Sequence, residues 1–92
     1  MSEPMVIRHC CKIVNNHGLH TRSAAAIVEL AKRFQCSIVL SSDKGESDAT
    51  DMLRLMLLEA SIDKEICIEA SGEGAKEAVI AMTELIETGF GE

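Results

Sequence analysis

The segment best equipped for chemistry reads Asn16-His17-Gly18-Leu19-His20-Thr21-Arg22-Ser23. A histidine supplies a ring nitrogen that can act as nucleophile or proton carrier near neutral pH. From Thr21 onward Ala24, Ile27, Val28, Ala31 and Phe34 recur at helical spacing, which puts His20 at or just before the first residue of a helix. Unpaired backbone N–H groups and the positive end of the helix dipole gather there, a natural cradle for a dianionic phosphoryl group. Thr21, Arg22 and Ser23 are the candidate phosphate contacts, with the guanidinium of Arg22 adding a fixed charge and bidentate donors. Gly18 allows the sharp turn before them. Residue types alone leave open that His20 is an ordinary surface histidine.

The surrounding elements can be read from periodicity. Residues 5–14 alternate as a strand with Ile7, His9, Cys11 and Ile13 on one face, His9 being expected to pack. Asn15-Asn16-His17-Gly18 is turn chemistry. A helix over residues 21–34 leads to a second strand around Ile38 and Leu40, a turn at Ser41-Ser42-Asp43-Lys44-Gly45 and a short polar third strand. Thr50 or Asp51 can cap a second helix over residues 52–60. A fourth strand, 64–70, turns Ile66, Ile68 and Ala70 inward and Cys67 and Glu69 outward. Ala75, Ala78, Val79, Met82, Leu85 and Ile86 then form one stripe of a last helix. The order β-α-β-β-α-β-α predicts an α+β fold, one domain over residues 1–92, with helices layered on a single sheet.

Composition removes several function classes. A formal charge of −6 argues against general nucleic-acid binding, which requires phosphate neutralisation. With Phe34 and Phe90 as the only aromatics, base stacking is nearly excluded. No apolar run approaches the ~20 residues of a membrane-spanning helix, and residues 1–4 lack the pattern of a signal peptide. A cytoplasmic location without membrane insertion is expected. In that setting Cys10, Cys11, Cys36 and Cys67 are expected to be reduced thiols, with no metal site. Strand phase places Cys10 and Cys67 together on the outward face.

Gly18-Leu19-His20-Thr21-Arg22 followed by Ala24-Ala25, together with Ala70-Ser71-Gly72 before the last helix, resembles the HPr family, the histidine-containing phosphocarriers of the bacterial phosphotransferase system. The resemblance extends over nearly the whole chain. It implies an open-faced β-sandwich, four antiparallel strands with three helices on one side. It also implies that His20 carries a phosphoryl group on Nδ1, assisted by Arg22. Enzyme I would be the donor and enzyme IIA-type domains the acceptors, with no cofactor. The protein would then be a monomeric carrier intermediate rather than an independent catalyst.

Several positions depart from the family pattern or extend it. Ser23 stands where the family usually has Pro. Pro is at home in a helix's first turn, so Ser23→Pro is expected to be tolerated. His17 stands where Ser or Asn is usual, either as a second pH-sensitive contact or as an exposed loop residue. Met52, Leu53, Leu55 and Met56 show no clean stripe; they are either an over-hydrophobic buried helix or a patch for docking partners, and the resemblance favours docking. Asp51 falls at the position of the serine phosphorylated in Gram-positive relatives, which implies that this regulation is absent. The Met/Leu-rich stretch also resembles the nitrogen-related NPr branch. The alternative function is a regulatory binding module on the same fold, with phosphoryl transfer weakened or lost.

Overall fold

The computed structural model describes residues 6–92; residues 1–5, including Met5 of the expected first strand, lie outside them. Four strands, β1 (Val6–Lys12), β2 (Ser37–Ser42), β3 (Gly45–Asp48) and β4 (Glu65–Ser71), form one antiparallel sheet in the order β1-β4-β2-β3. Helices α1 (Thr21–Ala31), α2 (Met52–Met56) and α3 (Ala75–Glu87) are followed by a 3₁₀ turn at Gly89–Gly91. The predicted α+β order is therefore realised.

One core holds the layers together. Ile13, Leu40, Ile66 and Ile68 from the sheet side meet Ile27, Leu55, Met82 and Ile86 from the helices, all with essentially no exposure. Burial of each such side chain contributes roughly 1.5–3 kcal/mol. The stripe on α3 packs as its spacing predicts, with Ala75, Ala78, Val79, Met82 and Ile86 buried.

Element ends move from their expected positions. The α1 helix stops at Ala31, and Phe34 packs against the core from the segment beyond it. The β2 strand runs on to Ser42, which pairs with Gly45, so the hairpin turn is only Asp43-Lys44. Helix α2 is five residues long rather than nine. Its last bonds tighten, with Leu58 N–H donating to the Leu55 carbonyl and Glu59 N–H to that of Met56. Glu59 then turns to φ +50, where a right-handed helix cannot continue. His9 has the inward phase but is exposed; β1 is the sheet edge, and His9 lines an open groove between that edge and α3.

The cysteine expectation is corrected. Cys10 and Cys67 are directly opposed in the β1–β4 register, their Cα atoms 4.0 Å apart, and they form a disulfide with an S–S distance of 2.06 Å. Strand phase places both on the helix-free face, and the register brings the two sulfurs together. Cys11 and Cys36 remain thiols. Burial is the main reason that the Cys11 thiol is pushed up to about 11, with the charges of Glu87 and Glu65 adding to it.

The short α2 also sorts its apolar residues. Leu55 is fully buried, so it is core and not a docking residue, whereas Leu53 and Leu57 are 77% and 70% exposed. Met52 and Met56 are half-buried against the core. Leu55→Ala should therefore lower unfolding stability by about 2–5 kcal/mol, and Leu53→Ala by no more than about 0.5 kcal/mol. Urea unfolding checks this; similar losses for both would contradict the orientation of α2.

Candidate functional site

His20 is the N-cap of α1. Its backbone is extended (φ −135°, ψ −172°), and its carbonyl accepts the first helical bond from Ala24 N–H at 2.7 Å. Thr21, Arg22 and Ser23 are the first three helical residues, as expected from the spacing. Thr21 and Arg22 are exposed, and among the described residues Arg22 enters no ion pair.

The loop before the helix is clamped to the segment between α2 and β4. Gly18 has φ +61°, and a Cβ there would stand 2.5 Å from the Ala60 carbonyl oxygen and 2.9 Å from Ser61 Cα. Only glycine satisfies both the backbone angle and this approach. Leu19 N–H donates to the Ala60 carbonyl at 2.8 Å, and Gly18 N–H to that of Asn15 at 3.2 Å.

Ser23 closes the loop from inside. Its hydroxyl oxygen accepts from His20 N–H at 2.8 Å and donates to the Gly18 carbonyl at 3.0 Å, in a fully buried position. This corrects the expectation that Ser23→Pro is harmless. Pro suits the first helical turn, but removing the hydroxyl strips the part-buried His20 N–H of its partner, a loss of at most about 1–3 kcal/mol. It also means that the Ser23 hydroxyl faces the loop; only its backbone N–H is left to serve an anion.

Two residues unsignalled by local pattern complete the site. Glu92 Oε2 lies 2.6 Å from His20 Nε2, and Asn15 Nδ2 donates to Glu92 Oε1 at 3.1 Å and to the Gly18 carbonyl at 2.9 Å. Asn15 was legible only as a turn residue; Glu92 is 72 positions from His20 in the chain. His17 is exposed, yet its ring meets that of His20 edge-on, centroids 5.5 Å apart. His17 is thus the exposed loop residue that one of its two expectations described, with its ring beside that of His20. The docking candidates Met52, Leu53 and Met56, together with Leu57, belong to α2, which packs against α1. Asp51 caps α2, accepting from Arg54 N–H at 3.1 Å. As for metals, Cys10, Glu65 and Cys67 bring three potential ligand atoms close together, but the disulfide uses both sulfurs.

The network sets the charge state of Glu92. The Asn15 amide, then the His20 hydrogen bond and the nearby imidazoles, hold its carboxyl below the ordinary 4.5. A carboxyl lowered by folding stabilises the fold above its ordinary value, and that contribution is lost as pH falls through the lower folded value. Carboxyl NMR titration of Glu92 should give a midpoint below 4.5, and Asn15→Ala should raise it. An unshifted midpoint in the parent protein would contradict the network.

Comparison with known proteins places this geometry. Residues 7–88 match the family described as the PTS HPr component phosphorylation site. The chain is 32% identical over 89 residues to phosphocarrier protein NPr of Escherichia coli (strain K12), covering 96% of this chain and 99% of that protein. Against phosphocarrier protein HPr of Cupriavidus necator it is 34% identical over 80 residues, covering 87% and 90%. The crystal structure of HPr-C-His from Thermoanaerobacter tengcongensis superposes with a TM-score of 0.87 at 32% identity, over 94% of this chain and 97% of that one. An antiparallel four-stranded sheet with three helices, a family match across the sheet and all three helices, and relatives above 30% identity along nearly the full chain together show that this protein belongs to the HPr family of the phosphotransferase system.

Proposed function

We propose that the protein is a phosphocarrier that receives a phosphoryl group on Nδ1 of His20 from phosphorylated enzyme I and passes it to enzyme IIA-type domains. The observation that carries this reading is the placement of His20 as N-cap of α1 with Nε2 engaged by Glu92. Nδ1 is then the nitrogen left for the incoming group, beside the first-turn donors and the positive end of the dipole. Its lone pair forms the new N–P bond as the bond to the donor breaks. Arg22, exposed and without an ion pair among the described residues, offsets the charge that arrives. Glu92 has to withdraw, because a carboxylate at 2.6 Å from the ring repels a dianion on it.

Partner docking falls to Leu53 and Leu57, with the flexible edges of Met52 and Met56; adaptable apolar side chains suit a surface that meets several proteins in turn. Asp51 puts a permanent negative charge at the start of α2, in place of a regulatory serine. Relatives named NPr and HPr share the phosphocarrier role, and in this reading the acceptor decides between sugar uptake and nitrogen-related regulation. The proposed setting is the cytoplasm; no described helix is long and apolar enough to cross a membrane.

A second reading is a regulatory binding module with weakened transfer. It is favoured by the Glu92 carboxylate held against the His20 ring and by Ser23 in the first turn. Phosphorylation by phosphoenolpyruvate and enzyme I, followed by intact-mass and peptide mapping, decides between them. The carrier reading expects one acid-labile phosphate on His20, none in His20→Ala, transfer slowed at least tenfold in Arg22→Ala, and faster uptake in Glu92→Gln. Leu53→Glu should weaken uptake from enzyme I while leaving the unfolding midpoint nearly unchanged. A folded parent protein that takes up no phosphate would establish the module instead.

A further inference from the structure

The helix-free face of the sheet carries a second reactive group, remote in function from His20. Across the order β1-β4-β2, Cys10, Cys67 and Ser41 lie side by side in register. A surface cavity of about 370 Å³ opens beside Cys67 and is lined by Arg8, Ser41, Asp43, Lys64, Glu65 and Cys67. Cys10 does not line it. A thiolate attacks a disulfide sulfur along the S–S axis, from the side opposite the leaving sulfur. The register sets Ser41 on the side of Cys67 away from Cys10, and the cavity that Ser41 also lines reaches Cys67, itself only 8% exposed, from there.

We propose that this cavity is a thiol–disulfide exchange site for a small peptide-like thiol bearing both carboxylate and ammonium groups, with Cys67 as the sulfur attacked and Cys10 as the resolving sulfur. The lining explains the ligand class. Arg8 and Lys64 provide positive charge for carboxylates, while Asp43 and Glu65 provide negative charge for an ammonium. In the first step the small thiolate forms a bond to Cys67 Sγ, the Cys10–Cys67 bond breaks, and Cys10 leaves as a thiolate that takes up a proton. A second small thiolate then attacks the ligand sulfur of the mixed disulfide. Cys67 leaves and is protonated, and the small thiol departs as its own disulfide. Two electrons pass from two small thiols to the protein disulfide, and the reverse sequence re-forms it. Glu65 Oε1, 3.9 Å from Cys67 Sγ, is placed to accept the S–H once Cys67 is reduced. Cys11 does not compete; it is buried in the core on the opposite face, and burial, with Glu87 and Glu65, keeps its thiol pushed up to about 11.

The test uses the folded 92-residue chain with glutathione as probe, acid quenching, alkylation and peptide mapping. The parent disulfide should open in native buffer, with the transient mixed disulfide found on Cys67. With glutathione disulfide, the reduced Cys10→Ser variant should accumulate the adduct on Cys67 at least tenfold faster than Cys67→Ser accumulates it on Cys10. Lys64→Glu should slow exchange with glutathione several-fold while leaving exchange with 2-mercaptoethanol, which carries neither carboxylate nor ammonium, within about twofold. A disulfide that opens only on unfolding, an adduct found first on Cys10, or equal slowing of both probes by Lys64→Glu would each overturn the proposal. The mapping of the parent protein stands even where a variant fails to fold.

Discussion

The approach of Gly18 to the Ala60 carbonyl determines where His20 can stand. Two connections meet at this point, the one from β1 into α1 and the one from α2 into β4. Their backbones are joined by Leu19 N–H to Ala60, by Ile13 N–H to Lys64 at 3.0 Å and by Asp63 N–H to Ile13 at 2.9 Å. Ser23 ties the same loop to the first turn of the helix from the inside. A reactive ring at a helix start is useful only if the start itself does not wander, because misplacement of a reacting group is costly. Here the fixed points are backbone groups on both sides of the loop, and the ring alone remains half open to solvent.

The electrostatics of the site follow from that placement. The start of α1 favours negative charge, and the Glu92 carboxylate sits on the ring of His20, the residue that caps it. Delivering this carboxylate takes three successive residues with positive φ: Gly89, Phe90 and Gly91. For Phe90 that conformation costs roughly 1–2 kcal/mol; the Asn15 and His20 hydrogen bonds to Glu92 are the visible compensation. Glu92 lies on Nε2, so a negative group on Nδ1 would face its charge across the same imidazole ring.

Much of this arrangement was legible from residue order. The strict alternation at Ile66, Ile68 and Ala70 and the stripe on α3 define which faces are buried, because each face repeats a period that only one element type satisfies. The N-cap position of His20 follows from where the helical period begins. Helix α2 was harder to read, since its apolar residues form no stripe and its length is set by the left-handed turn at Glu59. Pairing across the chain was legible only in part: strand phase put Cys10 and Cys67 on one face, but not opposite one another. The contact of Glu92 with His20 and the direct opposition of Cys10 and Cys67 depend on register and on the path of the last turn, which no local pattern encodes. Ser23 shows a third kind of gap: its place in the first turn was clear, while the buried bonds of its hydroxyl required the loop to be seen in three dimensions.

With Glu92 on Nε2 of His20, Nδ1 is the nitrogen proposed to take the phosphoryl group. Nitrogen-15 NMR of the imidazole in the phosphorylated protein tests this directly, because coupling to phosphorus identifies the bonded nitrogen. The coupled nitrogen should be Nδ1 of His20, and the Glu92 carboxyl signal should shift as the contact opens. Phosphorus coupling at Nε2, or at His17 or His9 in place of His20, would contradict it.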